Sequence, residues 1–538
     1  MGESLMSVKT NKPRILANKA DITKFFLACV FIVLVFVPLI RMFSNMDAAS
    51  IQKVFHARNF STAVTNSLVS AALSTAITIA LAYTLALCVE RTNIRLKGLF
   101  RILFVLPMLI PSISNGMGLI ILFGNNGLLT KMLGLQSGIY GLTGIVMGSV
   151  LYAFPVAFLM ISDIMKYEDS SPYEAAQVLG LSKFRRFTAI TLPYMRKPMI
   201  SVIFAVFTLI VTDYGVPLMV GGKYVTIPRV MYEEVIGQLD FGKGAVYGSL
   251  LLIPAVVAFI LDLMNQDKAA SGFVARPFTP DNGRMRKLLS YLLCFAVCVF
   301  VLLPLVSFAV LGFAKDYPND LSFTMANLNK AIRLKADDYL VHSLIMAFFV
   351  SVFGVVIAFV TAYMTARMQS KISRFLHLAS ITSAAIPGIV LGLSYVLVFK
   401  GSVIYGTLAI LVMVNVVHFI SSPYLMMYNS LCKLNPNLEG VGQTLGIHRL
   451  RMIKDVFLPQ CKSTLVEMFS YFFVNAMMTI SAVSFLATTA NKPVSLMINQ
   501  FESQMQLECA AVVSLAILGV NLLIKAVARL AKSKTKSI

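Results

Sequence analysis

Residues able to do chemistry are few and scattered along this chain. Gly237-Gln238-Leu239-Asp240-Phe241-Gly242-Lys243-Gly244 approaches the G-x4-G-K-[ST] loop that cradles nucleotide phosphates. Gly244, however, stands where a hydroxyl must reach Mg²⁺, and no strand is expected before the loop. The five histidines (His56, His342, His377, His418, His448) have no metal-ligand spacing. Cys294 and Cys298 share a helical face without a CxxC or a neighbouring histidine, so neither a metal site nor a disulfide framework is implied. No Ser/His/Asp or paired-carboxylate arrangement stands out. The reading is therefore of a non-enzyme with no catalytic residue, no metal site and no bound cofactor.

Two polar side chains do lie in apolar surroundings. Asp213, in Thr212-Asp213-Tyr214-Gly215-Val216-Pro217, falls towards the end of an apolar stretch. An aspartate at the centre of a membrane helix costs about 2.5–3.5 kcal/mol, so it is expected to face a cavity or the bundle interior. It reads either as a pathway residue, with Tyr214 beside it, or as a structural hydrogen bond. His418, well embedded in a later apolar segment, reads as a pathway residue or a packed helix contact.

A stronger signal is a capped polar segment, Ser170-Ser171-Pro172-Tyr173-Glu174-Ala175-Ala176-Gln177-Val178-Leu179-Gly180. Ser171 and Glu174 have capping-box spacing, Pro172 suits the first helical position, and Gly180 suits the left-handed residue that ends a helix. The spacing predicts a helix of about eight residues, roughly 12 Å long. That is too short to be stable alone in water, so it needs a partner groove to dock in. A basic stretch, Lys183–Ala189, then leads to Ile190-Thr191-Leu192-Pro193. The segment recurs: Asn435-Pro436, Glu439, Gly440, Val441, Gly442, Gly446 and Val456-Phe457-Leu458-Pro459. Gly180 and Gly446 are 266 residues apart, as are Leu192-Pro193 and Leu458-Pro459, and Pro38-Leu39 and Pro304-Leu305. Pro155 and Pro423 are 268 apart.

The elements that must position these loops are membrane helices. The 538 residues are 58% hydrophobic and 13% charged, against about a quarter charged in soluble domains. Apolar stretches of spanning length are expected near 25–43, 62–90, 99–123, 139–164, 200–221, 244–264, 288–312, 341–367, 374–399, 403–431, 465–487 and 507–530. The first has a basic flank but no small-residue cleavage site, and reads as an uncleaved helix. The fold class is thus an all-α polytopic membrane protein of about 12 transmembrane helices in two tandem six-helix halves. A cytoplasmic tail (1–24) precedes the first half (25–264, with its loop at 165–199). A cytoplasmic linker (265–287), the second half (288–530, with its loop at 432–464) and a cytoplasmic tail (531–538) follow. Six spans per half is an even number, so the repeat is parallel. The net charge of +22 reflects topology rather than nucleic-acid binding. With the N-terminus inside, 33 of the 46 Lys and Arg fall on the cytoplasmic side, as the positive-inside rule asks. Pro107, Pro155, Pro217, Pro254, Pro387 and Pro423 punctuate the spans, and Gly144 and Gly148 have the spacing of a helix contact.

Glu174-Ala175-Ala176, then Gly180, then Ile190-x-Leu192-Pro193 resembles the EAA loop of binding-protein-dependent ABC importer permeases, and the resemblance extends over nearly the whole chain as a fused double permease with two MetI-like halves. It implies that each loop is a coupling helix seated on a cytoplasmic ATPase, two copies in all. Those partners would bind and hydrolyse ATP with Mg²⁺, and an extracytoplasmic solute-binding protein would deliver the cargo. In the second copy Gly440-Val441-Gly442 replaces Glu-Ala-Ala and Glu439 lies one place early, so that contact is expected to be looser. The layout is similar to the ferric-iron, thiamine and 2-aminoethylphosphonate branches, and Ile236-Gly237-Gln238 with Gly244-Ala245-Val246 leans toward phosphonate. A polyamine importer is a further alternative. From another class, the rival is a 12-helix ion-coupled transporter, which would need coupling carboxylates but no paired short helices.

Overall fold

The computed structural model describes residues 14–134, 138–265, 276, 278, 280, 283–317 and 319–536. Residues 1–13 of the expected tail and most of the expected linker lie outside it. Among the described residues the structure is helical apart from one short antiparallel hairpin, Ala314–Asp316 with Asp320–Phe323. Eight helices are long and apolar enough to cross a membrane, and three bent pairs add three more. Among the described residues that makes eleven at most, and Lys462–Met478, of 17 residues, continues from Leu458–Gln460 at the place matching Leu192–Val211 in the first half.

Several spans are not the single helices that hydropathy suggests. The span at 99–123 breaks at Ile110-Pro111, where Lys97–Leu109 meets Ser112–Leu133 at 99°. The span at 374–399 breaks at Ile386-Pro387, with a bend of 110° between Lys371–Ala385 and Gly388–Phe399. Each proline sits just before the new helix, with φ −56° and −58°, where its fixed φ suits the turn and its missing donor is not needed. Leu408–Phe419 and Ser421–Cys432 are bent by 54°. The helix expected at 200–221 ends at Val211, and a separate short helix, Gly215–Val220, follows. The one expected at 465–487 ends at Met478, after which Ile480, Val483 and Leu486 are buried in turns. By contrast, Pro155 and Pro254 sit inside continuous helices. The first helix begins at Arg14 and the last runs to Lys536, so both expected tails are partly helical.

The halves exchange their first spans. Arg14–Phe31 and Val37–Ser44 pack on Lys371–Thr382 and Gly388–Phe399 of the second half. In return Arg284–Phe313 packs on Phe60–Arg91, Lys97–Val105 and Ser112–Phe123 of the first. In the first exchange a π-turn, Ile32–Phe36, disturbs the helical ladder, and Tyr395 Oη donates to Leu34 O at 2.8 Å. In the second, a Cβ on Gly118 would come within 2.5 Å of Pro304 Cβ, so only glycine allows that approach. Gly148 faces Val216 in the same way, 2.6 Å from a notional Cβ, which makes the Gly144/Gly148 pair a helix contact. The broken spans are thereby held at the centre, with most of Ser112–Phe123 and Gly388–Phe399 buried.

Candidate functional site: paired surface loops and a central cavity

The two polar segments fold as near copies. Ser171–Val178 and Leu438–Thr444 are short helices ended by Gly180 (φ 71°) and Gly446 (φ 68°). The closing bonds match: Leu181 N–H to Ala176 O at 3.0 Å, and Ile447 N–H to Gly442 O at 2.8 Å. These are the six-to-one bonds of a Schellman stop. A basic turn follows in each, then a π-turn, Phe187–Thr191 or Ile453–Phe457. Ile190 and Val456 sit in these π-turns, and Leu192-Pro193 and Leu458-Pro459 open the next helix. The expected side-chain caps do not form, as the residue preceding each helix makes no side-chain bond to the helix backbone. Ser170, not Ser171, precedes the first helix and bonds Glu174 through Oγ at 2.9 Å, leaving Pro172 as its second residue. Asn435 Oδ1 accepts from Asn437 N at 2.9 Å in a turn ahead of the second helix.

One small residue per helix is buried, Ala176 and its counterpart Gly442. Here the departure from Ala to Gly has a steric cause, because a Cβ on Gly442 would strike Met452 Sδ. The outward side is apolar: Val178 is 89% exposed, Leu179 77% and Leu445 68%, with Val441 also exposed. Such patches on short, well-capped helices are what a groove-shaped partner would cover. Ala175 and Gly440 face outward with them.

The glutamates are braced differently. Arg91 pairs with Glu168, and Tyr173 Oη reaches Glu168 at 2.5 Å and Thr191 Oγ1 at 2.8 Å. Burial and the Glu168 bond raise the Tyr173 phenol above its ordinary value, so it stays a neutral donor. Glu174 remains 54% exposed. In the second loop Glu439 is only 17% exposed and takes a two-pronged bond from Arg367, Nε to Oε1 at 2.7 Å and Nη2 to Oε2 at 2.5 Å. Arg367 also donates to the carbonyls of Leu434 and Asn435 at 3.0 and 2.7 Å. The glutamate displaced by one place is therefore a firmly seated brace.

Between the halves lies a cavity of about 540 Å³. One wall is a face of Leu192–Val211 (Ser201, Ala205, Thr208) with Ala258 and Asp262 of Phe241–Asn265; the facing wall carries Ile386, Pro387, Gly388, His418 and Ser481. Asp213 is a further lining residue. It is not at a helix centre but at the break after Val211, where Oδ1 accepts from Ser112 Oγ at 2.6 Å and Oδ2 from Val216 N at 3.0 Å. The structural reading of Asp213 is met by these bonds at the start of Gly215–Val220, and the same residue lines the cavity. His418 lines the cavity too, and its Nδ1 makes no hydrogen bond to protein. Tyr214 does not line it. That ring is buried, bonded through Oη to Ser484 Oγ at 2.5 Å and stacked on Tyr232 at 4.7 Å. Asp262 escaped the sequence reading because it lies near a helix end, where a carboxylate is unremarkable; its position opposite the proline break was not legible. Among the described residues no group of His, Cys, Asp and Glu could hold a metal ion.

The nucleotide-loop lookalike has a packing role. Gly244 abuts Val235, and Lys243 pairs with Glu234 at 3.1 Å. The decisive comparison is with the family described as "Binding-protein-dependent transport system inner membrane component", whose profile matches residues 78–268 and again 354–537. The chain belongs to this family. The chain is 24% identical over 422 residues to the ferric transport system permease protein FbpB of Actinobacillus pleuropneumoniae, a match covering 75% of this chain and 61% of that relative. It spans about three-fifths of that relative's length. It is 26% identical over 237 residues to the thiamine transport system permease protein ThiP of Brucella abortus, covering 42% of this chain and 44% of the relative. The molybdenum transport system permease protein ModB of Azotobacter vinelandii aligns at 26% over 91% of its length but only 37% of this chain, consistent with a fused double permease. These matches set aside the ion-coupled transporter.

Proposed function

We propose that this permease carries a cationic solute through the cavity between its halves, driven by two copies of a separate ATPase seated on the paired loops. The observation that carries the solute reading is the charge of the lining. Asp213 and Asp262 contribute two carboxylates, and no Lys or Arg is among the residues that line the cavity. A low-dielectric cavity with one sign of charge concentrates the opposite sign. That favours a ferric species or thiamine, cargoes printed in the relatives' names, or a polyamine, over a phosphonate anion. Separated carboxylates without a chelating cluster suit passage, because a conducting site must also release.

In this reading Glu174, Ala175, Ala176, Gly180, Ile190, Leu192 and Pro193, with Glu439, Gly440, Gly442, Gly446, Val456, Leu458 and Pro459, form the two ATPase contacts. ATP and Mg²⁺ belong to the partner subunits. The loops and both termini face the cytoplasm of a bacterial inner membrane, and a solute-binding protein docks on the opposite face at 221–243 and 315–339. The test is uptake by proteoliposomes holding the permease, its ATPase and the binding protein. Asp213→Asn keeps an acceptor for Ser112, and with Asp262→Asn it should lower uptake of Fe(III) or thiamine by about tenfold, leaving ATP hydrolysis intact. Uptake of 2-aminoethylphosphonate by the native assembly would overturn the cation reading.

A further inference from the structure

The Arg at the end of the second span is committed to Glu168, so the first loop's own glutamate needs a cation from elsewhere. It comes from between the halves. Arg276 Nη1 donates to Glu174 Oε2 at 2.9 Å, while Ser170 Oγ occupies the other oxygen. The main chain is stitched as well: Ser170 N–H donates to Arg276 O at 2.9 Å, and Arg276 N–H to Asp169 Oδ1 at 3.1 Å. Two residues on, the Phe278 ring lies 3.5 Å from the Arg91 guanidinium and meets Tyr173 edge-on at 5.0 Å. Phe278 also lines a cavity with Arg91, Glu168, Tyr173 and Thr191 of the first half and Arg286, at the start of Arg284–Phe313.

We propose that Arg276 and Phe278 are positioning residues of the first docking loop, so that this ATPase contact is a composite of the loop and the inter-half connection. The proposal rests on the docking reading above. The second loop is braced within its own half, by Arg367. The Arg276–Glu174 pair is solvent-exposed on both sides, 69% and 54%, and by itself worth little. The two main-chain bonds and the ring between Arg91 and Tyr173 give it direction. The connection also feeds directly into Arg284–Phe313, the span exchanged into the first half. The bracing residues of the first loop thus belong to the segment that opens the second half, whereas Arg367, which braces the second loop, belongs to the second half itself.

The test uses the full chain in nanodiscs and reads amide exchange of 171–178 and 438–444 separately. Arg276→Glu should speed exchange of 171–178 by about threefold and leave 438–444 unchanged; Arg367→Glu should do the reverse. Combining Arg276→Glu with Glu174→Arg should restore protection, which a residue with a merely bulky role would not do. Unchanged exchange in Arg276→Glu, or no recovery in the swap, overturns the proposal. With the ATPase and binding protein added, solute-stimulated ATP hydrolysis should fall about threefold in Arg276→Glu. If the native chain supports no stimulated hydrolysis, the docking reading fails, while the exchange result still decides whether Arg276 and Phe278 brace the loop.

Discussion

The loop at 170–193 and the loop at 435–459 share turn geometry almost residue for residue and differ in what holds them. In the first, the helix carries the good helix formers Ala175 and Ala176, and the glutamate is exposed and met from outside the half. In the second, glycines replace the alanines, but the glutamate is half-sunk under Arg367. Helix propensity and tertiary bracing trade places between the copies. A weak helical sequence is thus no sign of a loosely held loop when an arginine fork fixes its first turn.

The contrast can be broken most forcefully at Arg367. Arg367→Ala leaves Glu439 without its cation and removes the bonds to the Leu434 and Asn435 carbonyls, and should cost about 3–5 kcal/mol, read as a lower midpoint of thermal unfolding in detergent. Arg276→Ala should cost under about 1 kcal/mol in the same measurement; equal losses would dissolve the asymmetry. Next in size, Gly442→Leu should cost about 1–3 kcal/mol by driving Met452 out of place, with Met452→Ala restoring much of it. At the small end, Ala175→Gly should weaken the first helix by about 1 kcal/mol, and Gly440→Ala should strengthen the second by a similar amount, since nothing lies within 4 Å of that position. Amide exchange of each loop checks both, and loops that responded alike to all of these changes would not be differently braced.

Much of this was legible in the sequence because the repeat is strict where the loops are. The 266-residue offset joins Gly180 to Gly446 and Leu192-Pro193 to Leu458-Pro459, and the π-turns, which no motif announced, keep it as well. The broken spans were not read, for two reasons. Ile110-Pro111-Ser112 and Ile386-Pro387-Gly388 are 276 residues apart, so they fall outside the offset that aligns the rest. Their flanks are also as apolar as any helix. The segment after Met478 misled for a related reason. Hydropathy reports burial and not helicity, and irregular backbone is tolerated at membrane depth when protein surrounds it, as it does Ile480, Ala482 and Val483. Asp213 stood out as a charge in apolar surroundings, but the bond that holds it comes from Ser112, about a hundred residues away. Arg276 carried no signal at all, being one basic residue in a polar stretch.

The exchanged first span has a consequence for how the protein is made. Leu34 meets Tyr395 across 361 residues of chain, so at about 5–20 residues per second the ribosome needs roughly 20–70 s to supply the partner. During that interval the span must reside in the bilayer without its second-half partners, and its mean hydropathy of 2.7 allows this. This helix is therefore in place before its destination has been synthesised.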